Sequence, residues 1–344
     1  MSRRAGAPVL LACLLALAGG MLFGLRYGIV DLPAGRIVGI LAHALGLAGE
    51  PGGESWHAAV LLDVRLPRVL LGALVGGGLA LCGAAMQGLF RNPLASPGVL
   101  GVSTGAAVGA VLALYLGLAA QSIWALPLLG TLGAAVTAFV VYGVATRRGQ
   151  TPLGTLLLAG IAFGSLNGAI TAFILSISLA DYRIAGQIMY WTLGGLDRAT
   201  WDYVKLAAPA ILLGSAAIVY HARDLDALLL GETQAASVGV DVPRVRRRVI
   251  LATALVTGVA VSVAGAIGFV GLVIPHILRF FVGPAHRWLF PASLLGGAAF
   301  LVLADLFARW AIAPEELRLG VVTAAVGAPF FIFLLLRRRK EGWW

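Results

Sequence analysis

Residues Leu66 to Leu89 read LPRVLLGALVGGGLALCGAAMQGL, and Arg68 is the only charged side chain among them. A helix needs about 20 consecutive apolar residues to cross the hydrocarbon core of a bilayer, and this stretch is long enough. Its glycines and alanines are the small residues through which membrane helices pack closely.

The pattern recurs outward in both directions. Apolar runs at 8–27, 98–118, 124–145, 153–178, 203–221, 249–266, 268–282, 289–308 and 317–336 bring the candidate spans to ten. The run at 268–282 is short and also reads as re-entrant, which leaves nine as the alternative count. Of 344 residues, 60% are hydrophobic and 12% charged, at a mean hydropathy of +0.95. A soluble domain is about a quarter charged. This chain could not cover itself with polar groups in water, whereas lipid solvates apolar side chains directly. The sequence therefore predicts an all-α integral membrane protein, one transmembrane domain over 1–344.

The net charge is +10, but the basic residues sit in short clusters between spans, which sets topology rather than binding nucleic acid. One set of loops carries Arg3–Arg4, Arg91, Arg147–Arg148, Arg244, Arg246–Arg248, Arg287 and Arg337–Arg339 with Lys340. The alternate set carries Asp31, Glu50, Glu54, Asp181, Asp197, Glu315 and Glu316, together with Arg36, Arg65, Arg68, Arg183, Arg198 and Arg309. The bias makes the first set cytoplasmic and puts both termini inside. Two readings stay open for the first span. Ser2-Arg3-Arg4 and Ala16-Leu17-Ala18 fit a cleaved signal, but the apolar run continues to Leu25, which favours a retained helix. Gly76–Gly78 to Pro97 faintly echoes Gly265 to Pro284, as repeated halves do in transporters.

Several chemistries are missing from the sequence. A phosphate-cradling loop needs a lysine after glycine, and the only lysines, Lys205 and Lys340, follow Val204 and Arg339. ATP hydrolysis is thus expected in a separate polypeptide. No chain of buried carboxylates suggests a proton relay; Asp305 and His276 are the nearest approaches. Cys13 and Cys82 lie in apolar runs without metal spacing. No cofactor, metal or catalytic cluster is expected.

Three segments carry a functional reading. Arg65-Leu66-Pro67-Arg68 reads as interfacial anchoring or as a docking site whose guanidiniums pair with a partner's carboxylates. Arg91-Asn92-Pro93-Leu94-Ala95-Ser96-Pro97-Gly98 reads as a tight turn, or as a gate built on Asn92 and Leu94. Segment 222–248, too short to span, contains Leu229–Val240. There Thr233 suits a helix cap and Gly239 a helix end, followed by the Arg244–Arg248 run. It reads as a plain loop, or as a coupling element for an ATPase. Residues Ser165, Asn167, Thr171, Ser176 and Ser178 of the fifth long run bond neighbouring helices or line a pathway.

Those stretches, with Asn92–Gly105 (NPLASPGVLGVSTG), Gly265–Arg279 (GAIGFVGLVIPHILR), Ala304–Arg309 and Gly320–Phe331 (GVVTAAVGAPFF), resemble the FecCD family. Its members are permease subunits of ABC importers for ferric siderophores, haem and cobalamin. The resemblance runs from the second span to the C-terminus. It implies a cobalamin-importer-like fold of about ten transmembrane helices per protomer. It implies a homodimer in a bacterial inner membrane, with two ATP-binding cassette subunits and a periplasmic binding protein as partners. It places Arg65, Arg68 and Arg309 at the binding-protein face and Asn92 and Leu94 at the cytoplasmic gate. Coupling to the ATPase falls to Leu229, Gly231, Glu232, Ala235, Ala236 and Gly239. Two positions depart from the family pattern: Ser96 replaces an acid and Arg318 replaces a proline. Arg318, with Arg183, would suit an anionic cargo such as haem; the bland reading is another interfacial anchor. The cargo is expected to be an iron chelate, haem or a ferric siderophore. Cobalamin import and an ion-coupled carrier are the alternatives, and Asn167 and Thr171 are candidate pathway residues.

Overall fold

The computed structural model describes residues 6–28, 31–47, 56–147 and 151–340. Arg3–Arg4, Glu50, Glu54 and Arg148 lie outside the described residues, as do the side chains of Arg337–Arg339 and Lys340. The described fold is all-α. In chain order its helices are α1 (Gly6–Arg26), α2 (Ala34–Ala44), α3 (Trp56–Leu89), α4 (Val102–Tyr115), α5 (Ala125–Ala145), α6 (Leu153–Ser178) and α7 (Tyr182–Thr192). There follow α8 (Trp201–Tyr220), α9 (Ala222–Leu228), α10 (Glu232–Ser237), α11 (Val242–Ala264), α12 (Val270–Val282), α13 (His286–Trp310) and α14 (Leu319–Lys340).

Each expected span falls on a helix, and seven (α1, α3, α5, α6, α8, α11 and α13) are long and apolar enough to cross a membrane. Two spans shrink. The run 98–118 yields only the 14 residues of α4, and 268–282 the 13 of α12. At 1.5 Å per residue each is about 20 Å long, short of the roughly 30 Å hydrocarbon core. Both begin after a left-handed residue that breaks the preceding helical path, Gly101 at φ 70° and Phe269 at φ 65°. The faint sequence echo has no counterpart in the helices. The helix α3 runs unbroken through Gly76–Gly78, whereas Gly265 ends α11.

The centre of the bundle is α3, α11 and α13. In their most apolar windows 83%, 78% and 61% of residues are buried, against 17% for α6. Close approach explains the glycines of α3. A Cβ at Gly76 would strike the carbonyl of Gly297 in α13, and one at Gly83 the carbonyl of Gly271 in α12. Only glycine lets these backbones touch.

Three loops also meet backbone to backbone. Gly195 N donates to Ala264 O at 2.9 Å, Leu319 N to Gly194 O at 3.1 Å and Gly320 N to Leu193 O at 3.1 Å. Gly194 and Gly265 both sit at φ 69°, and a Cβ on Gly265 would meet the Trp191 carbonyl.

The polar segments hold more helix than their composition suggests. In 28–63, α2 buries Ile37 and Ile40 in a small cluster with Leu25, Leu61 and Val302, and α3 starts ten residues before Leu66. A wider π turn at Val60–Arg65 lies just before Pro67. Asp181 caps α7, accepting from Arg183 N at 2.9 Å and Ile184 N at 3.3 Å.

Candidate functional site

The sequence-predicted residues gather at the two ends of α3. At its N-terminal end Arg68 reaches α13 and the turn before α14. Its Nε and Nη2 donate to Asp305 at 2.9–3.1 Å, and its Nη1 and Nη2 to Glu316 at 3.1 and 2.8 Å. The side chain of Asp305 is 4% exposed, that of Arg68 11% and that of Glu316 35%. Arg309, one helical turn beyond Asp305, places Nε 3.2 Å from Asp305 Oδ2. One buried carboxylate therefore sits between two guanidiniums, and Glu316 supplies the second negative charge. Arg65 is turned inward as well: its Nη1 donates to the carbonyls of Leu25 and Arg26, both at 2.8 Å, closing the C-terminus of α1.

The three expected docking arginines, Arg65, Arg68 and Arg309, thus all have partners inside the chain. Their guanidiniums are directed at partners within the chain rather than presented to solvent. A charge buried without a counter-charge is too costly to leave so, and Asp305 and Glu316 remove that cost.

Arg318 has partners too. Its Nη1 lies 3.1 Å from Asp197 Oδ1, and its guanidinium carbon lies 4.1 Å above the Tyr190 ring. No ion pair or hydrogen bond joins it to Arg183, which is exposed on α7. Of the two arginines expected to suit an anionic cargo, Arg318 thus meets a carboxylate of its own chain. Arg68, Asp305, Glu315, Glu316, Asp197 and Arg318 line one cavity of about 500 Å³ in which acids outnumber arginines.

The other end of α3 carries the turn that holds the gate candidates Asn92 and Leu94. Arg91 adopts φ 50°, and Asn92 Oδ1 accepts from Leu94 N at 2.9 Å, so the Asn92 side chain shapes the turn. Leu94 faces Leu272, Val273, Phe330 and Phe331 across a small gap. Beyond it lies segment 222–248, where α9 and α10 are joined through Leu229, Leu230 and Gly231. Gly231 rather than Thr233 precedes α10, at φ 123° and with no side-chain cap, so Thr233 falls inside the helix. Gly239, at φ 89°, follows its end as expected. Ala235 is buried, and Glu232 accepts from Arg246 Nη2 at 2.5 Å, which pins α10 to α11. Arg246 also donates to the Thr151 carbonyl at 2.6 Å. Ala236 is exposed, and Leu230 and Val238 remain 75% and 72% exposed.

The pathway candidates Asn167 and Thr171 are half-buried on α6. Asn167 Nδ2 donates to Thr137 Oγ1 at 3.1 Å and to Thr104 Oγ1 at 3.4 Å, and Thr171 Oγ1 returns to the Asn167 carbonyl at 2.9 Å. Asn167 thus ties α6 to α4 and α5, while Thr171 bonds within its own helix.

The profile of the FecCD transport family matches residues 14–337. The chain belongs to that family. Among FecCD-type relatives, it is 43% identical to the cobalamin import system permease protein BtuC of Halobacterium salinarum, over 89% of this chain and 86% of the relative. It is 41% identical to the hemin transport system permease protein HmuU of Yersinia pestis, over 83% and 85%. A solved structure described as an inward-facing metal-chelate type ABC transporter superposes with a TM-score of 0.84 at 30% identity, covering 96% of this chain and 99% of that one. The protein is thus an ABC importer permease, a multi-pass membrane protein with the FecCD fold.

Sequence reasoning named both the arginines of this FecCD chain and the acids Asp305, Glu316 and Asp197, but did not pair them. Asp305 and Arg309 stand four apart on one helix face, a spacing that signals an ion pair. Glu316 and Asp197 lie far from their partners in sequence and gave no comparable signal.

Proposed function

We propose that this chain is the translocation subunit of an ATP-driven importer that brings an iron chelate, haem or a ferric siderophore, from periplasm to cytoplasm. It works as a homodimer in a bacterial inner membrane, with two ATP-binding cassette subunits on the cytoplasmic side and a binding protein outside. Both termini are cytoplasmic. The observation that carries this reading is the pairing of family membership with segment 222–248. A short helix braced by Arg246 offers exposed Leu230 and Val238 beside basic Arg244, Arg247 and Arg248. Uncovered apolar residues ringed by charge suit a protein groove rather than solvent. Movement of an ATPase pressing there passes through Arg246 into α11. At the far end a binding protein's carboxylate meets Arg68 by displacing Glu316, the more exposed of its two acids.

A second reading, cobalamin as cargo, has its own support. The similarity to a cobalamin permease, 43%, is at least as great as the 41% to a hemin permease, and Asp197 pairs with the arginine on which a preference for haem rested. Reconstitution with candidate ATPases and binding proteins tests both. ATP-dependent uptake of haem or a ferric siderophore supports the first and uptake of cobalamin alone the second. Uptake driven by an ion gradient without any ATPase overturns both.

A further inference from the structure

A cavity of about 390 Å³ opens beside the Arg91–Pro93 turn, between Leu229 and α12. Gln87, Arg91, Pro93, Leu229, His276 and Arg279 line it. Gln87 is fully buried; its Nε2 donates to the Leu272 carbonyl at 3.1 Å, and its Oε1 accepts from Arg279 Nη2 at 3.2 Å. That fixes Arg279 through a neutral amide, so the charge stays uncompensated. Arg279 Nε is buried with no acceptor.

The acids that might have answered it are engaged elsewhere. Asp224 pairs with His221, Asp226 with His286, Glu232 with Arg246 and Asp241 with Arg244. Among the described residues neither Arg91 nor Arg279 has a carboxylate partner. Arg91 also holds a left-handed backbone at φ 50°, a conformation that is costly for a non-glycine residue. Strain of this kind persists where surrounding structure fixes a side chain for use.

We propose that this cavity is a binding site for a phosphate-class oxyanion, held between the guanidiniums of Arg91 and Arg279. Planar guanidiniums match phosphate oxygens two at a time, and a doubly charged anion answers both cations. The volume exceeds a bare phosphate and leaves room for an attached group, which suits either a free polyphosphate or the headgroup phosphate of an anionic lipid. The site stands on its own geometry and does not depend on the cargo or direction of transport.

The test uses the full chain with pyrophosphate as probe, at ionic strength matched with chloride. In zwitterionic detergent, pyrophosphate at about 100 times its Kd is expected to raise the unfolding midpoint by about 4 °C. Arg91→Gln and Arg279→Gln are each expected to weaken binding at least tenfold, and Arg147→Gln, exposed just beyond the end of α5, to leave it unchanged. Arg91 lies on an exposed turn, so its variant reports even where Arg279→Gln fails to fold. In nanodiscs, a shift present in phosphatidylcholine but lost in phosphatidylglycerol assigns the site to a lipid headgroup. An equal shift in both assigns it to a free anion. A shift no larger than that of matched chloride, or one that survives Arg91→Gln, overturns the proposal.

Discussion

Asp305 is the residue whose removal should matter most. It answers Arg68 and Arg309 from a position 4% exposed. Deleting one member of a buried pair strands the other's charge, at about 3–5 kcal/mol. Asp305→Ala should therefore lower the unfolding midpoint in detergent sharply, and an unchanged midpoint would show that water reaches the cluster. Arg318 and Asp197 are 25% and 42% exposed, and exposed pairs contribute at most about 1 kcal/mol. Arg318→Ala should leave stability and haem uptake by proteoliposomes within twofold of the parent. A larger loss of uptake would restore Arg318 as a contact for cargo. Asp226, on α9 outside the spans, gives a pH dependence. Burial pushes its carboxyl up, but hydrogen bonds from the His286 side chain and backbone outweigh this and hold it below the usual range. A carboxyl depressed in the folded state stabilises above its unfolded pKa and loses that contribution as pH falls through the folded value. Its share of stability should hold from neutrality to about pH 4 and fade only below that. Asp226→Asn should remove this acid-limb dependence from the unfolding midpoint.

At the level of elements, the long spans were legible because lipid demands an uninterrupted apolar run, and α3, α6 and α13 obey that demand. Short helices gave no such signal. The amphipathic α2 and α7 have 11 residues each and lie among polar loops. The 98–118 run looked like one full span because nothing in its composition announces the left-handed turn at Gly101. The arginines were legible as charges, but their direction was not. Whether Arg68 faces solvent depends on Asp305 and Glu316, more than 230 positions away. Glycine contacts yield a prediction with competing magnitudes. Gly83→Ala gains about 1 kcal/mol of helix propensity. It also forces a methyl group onto the Gly271 carbonyl, and overpacking of this kind costs typically 1–3 kcal/mol. Backbone cannot swing aside as a side chain does, so net destabilisation is expected in thermal unfolding. A rise in midpoint would mean that α3 and α12 separate freely.

For the whole molecule, two exposed apolar surfaces stand out. The 26-residue α6 is mostly uncovered, with Leu158, Ile161 and Phe173 each more than 60% exposed. At the end opposite Arg68, Leu230 and Val238 stand clear of the bundle. Leu230→Asp and Val238→Asp should leave the fold intact, since neither side chain packs inside, yet reduce recovery of a cassette ATPase in pull-downs at least tenfold. Full recovery with both changes would remove segment 222–248 from the coupling role.

The junction of Gly194, Ala264 and Gly320 bears on how such a machine moves. Where side chains separate two elements, rotamers absorb small displacements before anything else shifts. Here peptide groups clasp peptide groups directly. A tilt of α11 must haul the loops leading into α8 and α14 along with it, so that rim of the bundle swings as one lever with no play in the joint.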